Sequence, residues 1–368
     1  MTMLNIRVFA LFLFVLLFAG PAIAQTGGKP AVAGKVTFLK IPAPSLKGNL
    51  LGDPSEQAVA IYLPPGYESS PSKRYPVVYL LHGYGGSPAA WFGDGPYSFN
   101  IAPLLDQLIG SGKIREMIIA APNGTNAFGG SFYVNSAASG NWEDFIIRDV
   151  VGYVDKNYRT LARPSSRGIA GHSMGGYGAM YLGMKTNGVF SSVYALSPCC
   201  LGLEGEFIEA TPAWKRLVTM TTRDQLPKPI RSLEDFLVTA LAGSGAAFSP
   251  NTARAQFYSD PLFSEKDGKL VQNDAVAAKW KSKMPLYLVV DHKNNLLALR
   301  GIFLDYGQKE EFAHIRSTTA KLSMALAENG IPHNFEVYAD GDHGSKVRER
   351  IEKKVLAFFS ERLDFSNP

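Results

Sequence analysis

The chain has 368 residues, of which 46% are hydrophobic and 19% are charged, and this composition excludes a disordered or collagen-like protein. The formal net charge is +5 at pH 7, but Lys and Arg are spread along the sequence without a cluster, so we predict no nucleic-acid partner. The only two cysteines, Cys199 and Cys200, are adjacent and cannot cross-link distant parts of the chain, which leaves a hydrophobic core to stabilise the fold.

Residues 1–24 have the pattern of a secretory signal peptide. Arg7 precedes an apolar run at 8–18, and an A-x-A cleavage site ends at Ala24. An uncleaved membrane anchor is the alternative, but the run has 11 residues and a spanning helix needs about 20. Cleavage changes the formal charge from +5 to +4, because only Arg7 is lost. We expect a periplasmic or secreted protein without stable membrane insertion, and we interpret 25–34, rich in Gly, Ala and Pro, as a tether.

The next segments predict a sheet whose first strands are antiparallel and whose later strands are mostly parallel. β-Rich stretches at 36–39 and 59–63 come first, and a Pro-Pro-Gly turn ends the second. From Pro76 onward, continuously apolar segments alternate with helical ones, as in parallel strands that are buried on both faces and joined by helices. The predicted strands are 77–81, 117–121, 168–170, 193–196, 302–304 and 335–338. The predicted helices are 101–109, 145–158, 177–185, 314–328 and 347–363.

Residues 201 to about 283 interrupt this alternation. They contain scattered Gly and Pro, a helix-like stretch at 233–242, and Trp214 and Trp280 outside any clear strand. A small independent domain is one alternative, but no linker-like composition flanks the segment. We therefore predict a single catalytic domain at 35–368 in which this segment is an insertion that caps the sheet.

The strongest local signal is the sequence Gly171-His172-Ser173-Met174-Gly175, which lies between a predicted strand and a predicted helix. A G-x-S-x-G sequence in this setting is a nucleophile elbow, in which small residues allow a sharp turn that exposes the serine hydroxyl. The amides at the start of the next helix then face that hydroxyl. A plain glycine-rich turn is the alternative interpretation, because the chain contains 36 glycines.

A serine nucleophile needs a neighbouring base, and histidine has the suitable pKa. Of the six histidines, His343 follows the last predicted strand, where a base is expected. We interpret His172 as a packed neighbour of the serine and place His82 in a loop that shapes the oxyanion site. The remaining three are interpreted as surface or packing residues: His292, His314 and His333.

The third catalytic group should be a carboxylate on the turn after the penultimate strand. Asp305, Glu310 and Glu311 all lie on that turn, and spacing alone does not choose among them. An oxyanion hole requires two backbone amides, which we assign to Met174, directly after the nucleophile, and to Tyr84 in the glycine-rich loop after strand 77–81.

No metal or cofactor is predicted, because the sequence contains no H-x-x-x-H, no C-x-x-C and no phosphate-binding loop. Cys199 and Cys200 follow a predicted strand and are expected to line the pocket, with a vicinal disulfide as the alternative. Aromatic residues of the loop 123–142, together with the cap, are expected to form a substrate-binding wall. The residues predicted to bind substrate are Tyr133, Trp142 and Tyr177.

These motifs resemble the esterase D family of α/β hydrolases, which includes S-formylglutathione hydrolases, feruloyl and acetyl-xylan esterases, siderophore esterases and antigen 85 mycolyltransferases. The resemblance covers most of 57–363. The segments that carry it are 79–86, 144–149, 158–160, 169–180, 304–312 and 341–343.

The resemblance implies an α/β-hydrolase fold and a Ser173, His343, Glu310 triad. In that family the turn after the penultimate strand places an Asp and a Gly ahead of the catalytic acid, and Asp305 and Gly307 match them, which puts the acid at Glu310. The family more commonly has Asp at this position, although Glu serves in the mycolyltransferase branch. The predicted signal peptide and the long insertion that begins at residue 201 make a cytosolic S-formylglutathione hydrolase the less favoured member of this family.

The sequence therefore predicts an exported serine esterase that acts on a small-molecule or saccharide ester. Acyl transfer of the mycolyltransferase type and a non-catalytic binding module on the same fold are the two rival functions. Neither the acyl group nor the oligomeric state follows from the residues.

Overall fold

A computed structural model describes residues 33–95, 98–208 and 211–367. The predicted signal peptide and nearly all of the predicted tether lie outside these residues. Among the residues described, no helix has both the length and the apolar character that a bilayer span requires.

The fold is built on an eight-stranded sheet. In chain order the strands are β1 (Lys35–Pro42), β2 (Glu56–Leu63), β3 (Val77–Leu81), β4 (Ile118–Pro122), β5 (Arg167–His172), β6 (Ser192–Leu196), β7 (Gly301–Gly307) and β8 (Asn334–Tyr338). Their order across the sheet is β1-β2-β4-β3-β5-β6-β7-β8. Strand β2 pairs antiparallel with both of its neighbours, and all pairs from β4 to β8 are parallel. The predicted antiparallel first strands and mostly parallel sheet are confirmed.

Helices cover both faces of the sheet, as predicted. Alternating residues of β3 show why: Val77, Tyr79 and Leu81 pack in one apolar cluster, and Val78 and Leu80 pack in another. A strand with both faces buried is typically apolar along nearly its whole length. The main helical segments outside the cap are Ala102–Gly110, Trp142–Asp144 continuing through Phe145–Val150 to Val151–Asn157, Met174–Lys185, Lys293–Ala298, Ala313–Glu328, and Val347–Arg350 continuing through Ile351–Val355 to Leu356–Arg362.

Within its described residues, the segment 201–283 adds no strand to the main sheet. These residues include the α-helices Pro212–Thr219, Leu233–Phe248 and Asp274–Lys281, and a hairpin of Phe263–Lys266 with Lys269–Gln272. Its buried side chains, Trp214 and Trp280 among them, belong to the same apolar cluster as one face of the sheet. Both tryptophans lie on helices.

We call Leu233–Phe248 the cap helix. It is longer than the predicted helical stretch 233–242, because it continues through Gly243 and Gly245. Glycine lowers helix propensity, but a Cβ at Gly243 would lie 3.2 Å from Cβ of Phe128, and one at Gly245 would lie 2.9 Å from Oγ of Ser259. The close packing of this helix therefore outweighs the low helix propensity of its two glycines.

Candidate active site

Ser173 lies between β5, which ends at His172, and the helix that begins at Met174. Its φ of 58° and ψ of −118° place a non-glycine residue in a rarely populated backbone region, as expected at a strained functional turn. The turn is held by hydrogen bonds from the Ser173 amide to the Leu196 carbonyl (3.0 Å) and from the Cys199 amide to the Ser173 carbonyl (3.1 Å). The helix begins at Met174, three residues before the predicted start at Tyr177, because the turn consists of Ser173 alone.

Two glycines flanking the serine are required by close backbone contacts. A Cβ at Gly171 would lie 2.4 Å from the Gly175 carbonyl, and a Cβ at Gly175 would lie 2.2 Å from the Leu81 carbonyl oxygen. Neither contact can be relieved by rotating a side chain, because both partners are backbone atoms.

Gly175→Ala is therefore expected to lower the free energy of unfolding by about 2 kcal/mol or more, as overpacking of backbone does. Gly152→Ala is a matched control, because Gly152 is exposed within the helix Val151–Asn157 and a Cβ there meets no atom within 4 Å. That control should raise stability by about 0.5–1 kcal/mol. Urea denaturation followed by circular dichroism measures both, and equal stability of the two variants would contradict the packing argument.

His343 lies on the loop after β8, and its Nδ1 is 2.8 Å from Oε2 of Glu310. Glu310 follows β7 and is completely buried, and its second oxygen accepts a hydrogen bond from the Phe312 amide (3.2 Å). The backbone N–H of His343 donates to Glu311 Oε2 over 3.0 Å. Of the two neighbouring glutamates, Glu310 therefore contacts the imidazole and Glu311 holds the loop.

The third acid, Asp305, belongs to a different network. Its Oδ2 accepts hydrogen bonds from the Tyr194 hydroxyl (2.7 Å) and from the Arg350 guanidinium (2.7 Å and 2.9 Å). These contacts join β6, β7 and the C-terminal helical segment beneath the site. Asp305 is thus a structural ion-pair partner in this arrangement.

His172 packs against His343. Its Nε2–H donates to the His343 carbonyl oxygen (2.7 Å), and the two ring centroids are 4.6 Å apart. Burial and the neighbouring His343 lower the pKa of His172 to about 3, so its ring stays neutral. The residue next to the nucleophile therefore fixes the loop that carries the imidazole.

Among the residues described, Ser173 Oγ and His343 Nε2 do not form a direct hydrogen bond. His172, which adjoins Ser173 in the chain, packs against His343 in space. In hydrolases without substrate, the contact between nucleophile and base is often long and tightens when substrate binds.

The two amides assigned to the oxyanion hole, those of Met174 and Tyr84, have no hydrogen-bond acceptor among the described residues. The loop of Tyr84 lies at the nucleophile, because a Cβ on Gly83 would be 3.3 Å from Cβ of Ser173. Both groups are thus available to an oxyanion.

Buried His82 supports this loop. Its Nδ1–H donates to the Gly83 carbonyl (2.8 Å) and its Nε2 accepts from the Gly124 amide (2.9 Å), which defines a neutral tautomer. Burial lowers the pKa of His82 to about 4. The Tyr84 hydroxyl donates to the Phe128 carbonyl and anchors the other side of the loop.

Ser173 lines a narrow, mainly apolar cleft of about 40 Å³ between the sheet edge and the cap. The cap helix supplies its outer wall, where Phe236 and Leu237 are only partly buried. The loop 123–142 contributes Phe132, as expected of that wall. The other lining residues are Tyr84, Cys199, Cys200, Glu206, Phe207, Ala240, Leu241, Ser244, Phe312, His314 and Ile315.

The prediction that Tyr133, Trp142 and Tyr177 bind substrate needs correction. All three are fully buried, and none lines the cleft. Their polar atoms are hydrogen-bonded to the carbonyls of His82 (2.9 Å), Ser139 (2.8 Å) and Lys283 (2.7 Å), respectively. An aromatic side chain with a satisfied polar atom is stable inside the core, which explains why these residues support the cleft from behind.

Cys199 and Cys200 do line the cleft, and their sulfur atoms are joined in a vicinal disulfide. The lining position agrees with the expectation from sequence, whereas the disulfide is the alternative to that expectation. Within the described residues there is no group of three or more side chains suited to hold a metal ion.

A family model described as "Putative esterase" matches residues 54–348. Among curated proteins, an esterase of Mycobacterium tuberculosis is 37% identical over 82 residues, which cover 21% of this chain and 17% of that protein. The match thus spans less than a fifth of the length of that relative.

Solved structures with the same fold include a ferulic acid esterase, with 22% identity, a TM-score of 0.60 and coverage of 90% of this chain and all of that one. An S-formylglutathione hydrolase of Agrobacterium tumefaciens has 17% identity, a TM-score of 0.56 and coverage of 91% and 97%. A fluorophosphonate-binding serine hydrolase of Staphylococcus aureus has 15% identity, a TM-score of 0.56 and coverage of 89% and 99%. The sheet and these neighbours identify an α/β-hydrolase fold, and the match over most of its length shows that this chain belongs to the Esterase family.

Proposed function

We infer that the protein is an exported carboxylic ester hydrolase in which Ser173 is the nucleophile, His343 the general base and Glu310 the orienting carboxylate. The observation that carries this inference is the hydrogen bond between the buried Glu310 carboxylate and His343 Nδ1, together with the strained backbone of the serine turn. A carboxylate on Nδ1 holds the imidazole in the tautomer whose Nε2 can accept a proton from serine.

The reaction proceeds in two halves. Ser173 Oγ attacks the ester carbonyl carbon while His343 Nε2 takes the hydroxyl proton, and the Met174 and Tyr84 amides stabilise the oxyanion. The carbonyl re-forms as the alcohol leaves with the proton from His343, and the acyl group remains on Ser173. Water then attacks the acyl-enzyme with His343 again as base, which releases the carboxylic acid and regenerates the serine.

Two features support export. Residues 1–24 have the pattern of a secretory leader. The disulfide between Cys199 and Cys200 fits an oxidising compartment, since cytosolic thiols are generally kept reduced.

Intact-mass spectrometry of the protein expressed in a bacterium and treated with a fluorophosphonate probe tests both parts of this proposal. We expect a chain that begins at Gln25 and carries a single probe adduct, with fragmentation placing the adduct on Ser173. A full-length mass would contradict cleavage. An unlabelled, folded protein would contradict the nucleophile assignment and favour a non-catalytic binding protein.

A further inference from the structure

The helix Ala313–Glu328 begins three residues after Glu310, and its own sequence supplies no cap. Phe312 occupies the capping position, and its side chain accepts no hydrogen bond from the first turn. The first amides of a helix need acceptors, which usually come from a Ser, Thr, Asp or Asn at that position. The start of this helix therefore depends on an acceptor from elsewhere in the chain.

Glu206 of the insertion, in the short turn Gly205–Phe207, supplies that acceptor. Its Oε1 accepts a hydrogen bond from the Ala313 amide (2.8 Å), and its Oε2 accepts from the His314 amide (3.1 Å) and from His314 Nδ1 (2.6 Å). Burial raises the pKa of Glu206, but its contacts with His314 outweigh burial and lower that pKa to about 2. An ionised carboxylate can only accept, so Nδ1 carries a hydrogen in either charge state of the ring. The negative charge also faces the positive end of the helix dipole, where it is stabilising.

The backbone of the same turn packs against the start of the helix. Gly205 has a φ of 53°, and a Cβ there would lie 2.8 Å from the His314 backbone nitrogen. The neighbouring Glu204 forms an ion pair with Lys321, further along the same helix. The insertion is therefore docked on this helix by a buried carboxylate, by close backbone packing and by an exposed ion pair.

The start of the helix is continuous with the proposed triad. The Phe312 amide donates to Glu310 Oε1 (3.2 Å), and the other oxygen of Glu310 lies on His343 Nδ1 (2.8 Å). The ring of Phe312 packs edge-on against His343, with centroids 4.9 Å apart, and against Phe236 of the cap helix, with centroids 5.9 Å apart. A shift of the first helical turn would thus move both the amide that holds Glu310 and the ring that supports His343.

We propose that Glu206 is a positioning residue of this site, which holds the start of the helix Ala313–Glu328 from the insertion and so keeps the Glu310 carboxylate on His343. Catalysis at Ser173 then requires the insertion to be docked on the sheet. This inference rests on the proposed esterase function. Glu206 takes no part in the chemistry and acts only through Glu310, so its removal should matter only while Glu310 can orient the imidazole.

A double-mutant cycle between Glu206→Ala and Glu310→Gln tests this dependence. The measured quantity is the second-order rate constant for labelling of Ser173 by a fluorophosphonate probe, followed by intact-mass spectrometry, which counts adducts on this chain alone. In the wild-type background we expect Glu206→Ala to slow labelling by about tenfold or more, because a displacement of about 1 Å in a catalytic group has effects of this size. In the Glu310→Gln background it should slow labelling by less than about threefold, because the group through which Glu206 acts is already lost.

Glu116→Ala is the matched control. The Glu116 side chain is 19% exposed and that of Glu206 is 18% exposed, and Glu116 likewise accepts a backbone amide, from Gly66 over 2.8 Å. It precedes β4 and lies at the opposite end of the parallel strands from Ser173. This control should retain the wild-type labelling rate within about twofold, as expected of a site remote from the chemistry.

Glu204→Gln provides a second control on the same two segments. It removes only the exposed ion pair with Lys321, and such pairs contribute little, so the labelling rate should again stay within about twofold of wild type. If Glu206→Ala does not fold, as judged by thermal unfolding, Glu206→Gln replaces it in the cycle with the same criteria. Its amide nitrogen would face a donor where the carboxylate presents an acceptor.

A loss smaller than tenfold for the folded Glu206 variant in the wild-type background overturns the inference. A loss of the same size in both backgrounds overturns it as well, because that pattern belongs to a residue that contacts the reactant or merely stabilises the fold. Either result with a labelled wild-type protein leaves the proposed esterase function standing, whereas a folded wild-type protein that takes up no probe overturns both.

Discussion

Ser173→Ala is expected to lower kcat for ester hydrolysis by about a million-fold, because no other group can form the acyl-enzyme and only binding and the oxyanion hole remain. Ser173 lines the cleft and the Met174 and Tyr84 amides donate to no other group among the described residues, so the residual rate should still exceed that of the uncatalysed reaction. Steady-state hydrolysis of p-nitrophenyl acetate, with burst-phase kinetics for the wild type, measures the difference.

Ser192→Ala controls for the loss of a buried hydroxyl. Ser192 is fully buried at the start of β6, whereas the elbow packs against Leu196 at the other end of that strand. This control should retain wild-type kcat within about threefold, as expected of a site remote from the chemistry. A Ser173→Ala variant within tenfold of the wild-type rate would contradict the nucleophile assignment.

Glu310→Gln is expected to lower kcat by about ten-thousand-fold while preserving the shape of the site. The glutamine amide can donate to His343 Nδ1, which stabilises the tautomer whose Nε2 carries a hydrogen and cannot accept the serine proton. The loss of negative charge also destabilises the imidazolium that forms during attack. Measurements of kcat and of thermal stability on the same samples separate catalysis from folding.

The other two acids of the same turn provide the comparison. Glu311→Gln can still accept the His343 backbone N–H and should stay within about tenfold of wild type. Asp305→Asn removes one of the two carboxylates that pair with Arg350, since Glu336 stays 2.9 Å from the guanidinium, and should act mainly on stability, by about 1–3 kcal/mol. A larger kcat loss for Glu311→Gln than for Glu310→Gln would reassign the triad acid.

The strands and the serine turn could be predicted from sequence because their signals are local. A strand buried on both faces, such as β3, is apolar at each of its five positions, and Gly171 and Gly175 are dictated by backbone contacts around one turn. The end of the cap helix was harder to predict, since Gly243 and Gly245 are weak helix formers whose helical state depends on packing against Phe128 and Ser259.

The lining of the cleft was the least predictable part of the site. Tyr133, Trp142 and Tyr177 belong to segments near the nucleophile, yet each points into the core and satisfies its polar atom there. Sequence proximity to Ser173 carries no information about which face of a loop or helix meets the cleft. Phe236 of the cap helix, which does line it, is more than sixty positions away along the chain.

The amino-acid sequence by itself determined the mostly parallel sheet, the serine turn and the histidine after the last strand, because each depends on residues that are close together in the chain. Only the tertiary structure decided which of three acids contacts His343, and that His314 meets Glu206 from 108 positions away. Contacts of this kind depend on how whole loops and the cap pack onto the sheet, and that packing is the sum of many weak interactions that no local pattern records.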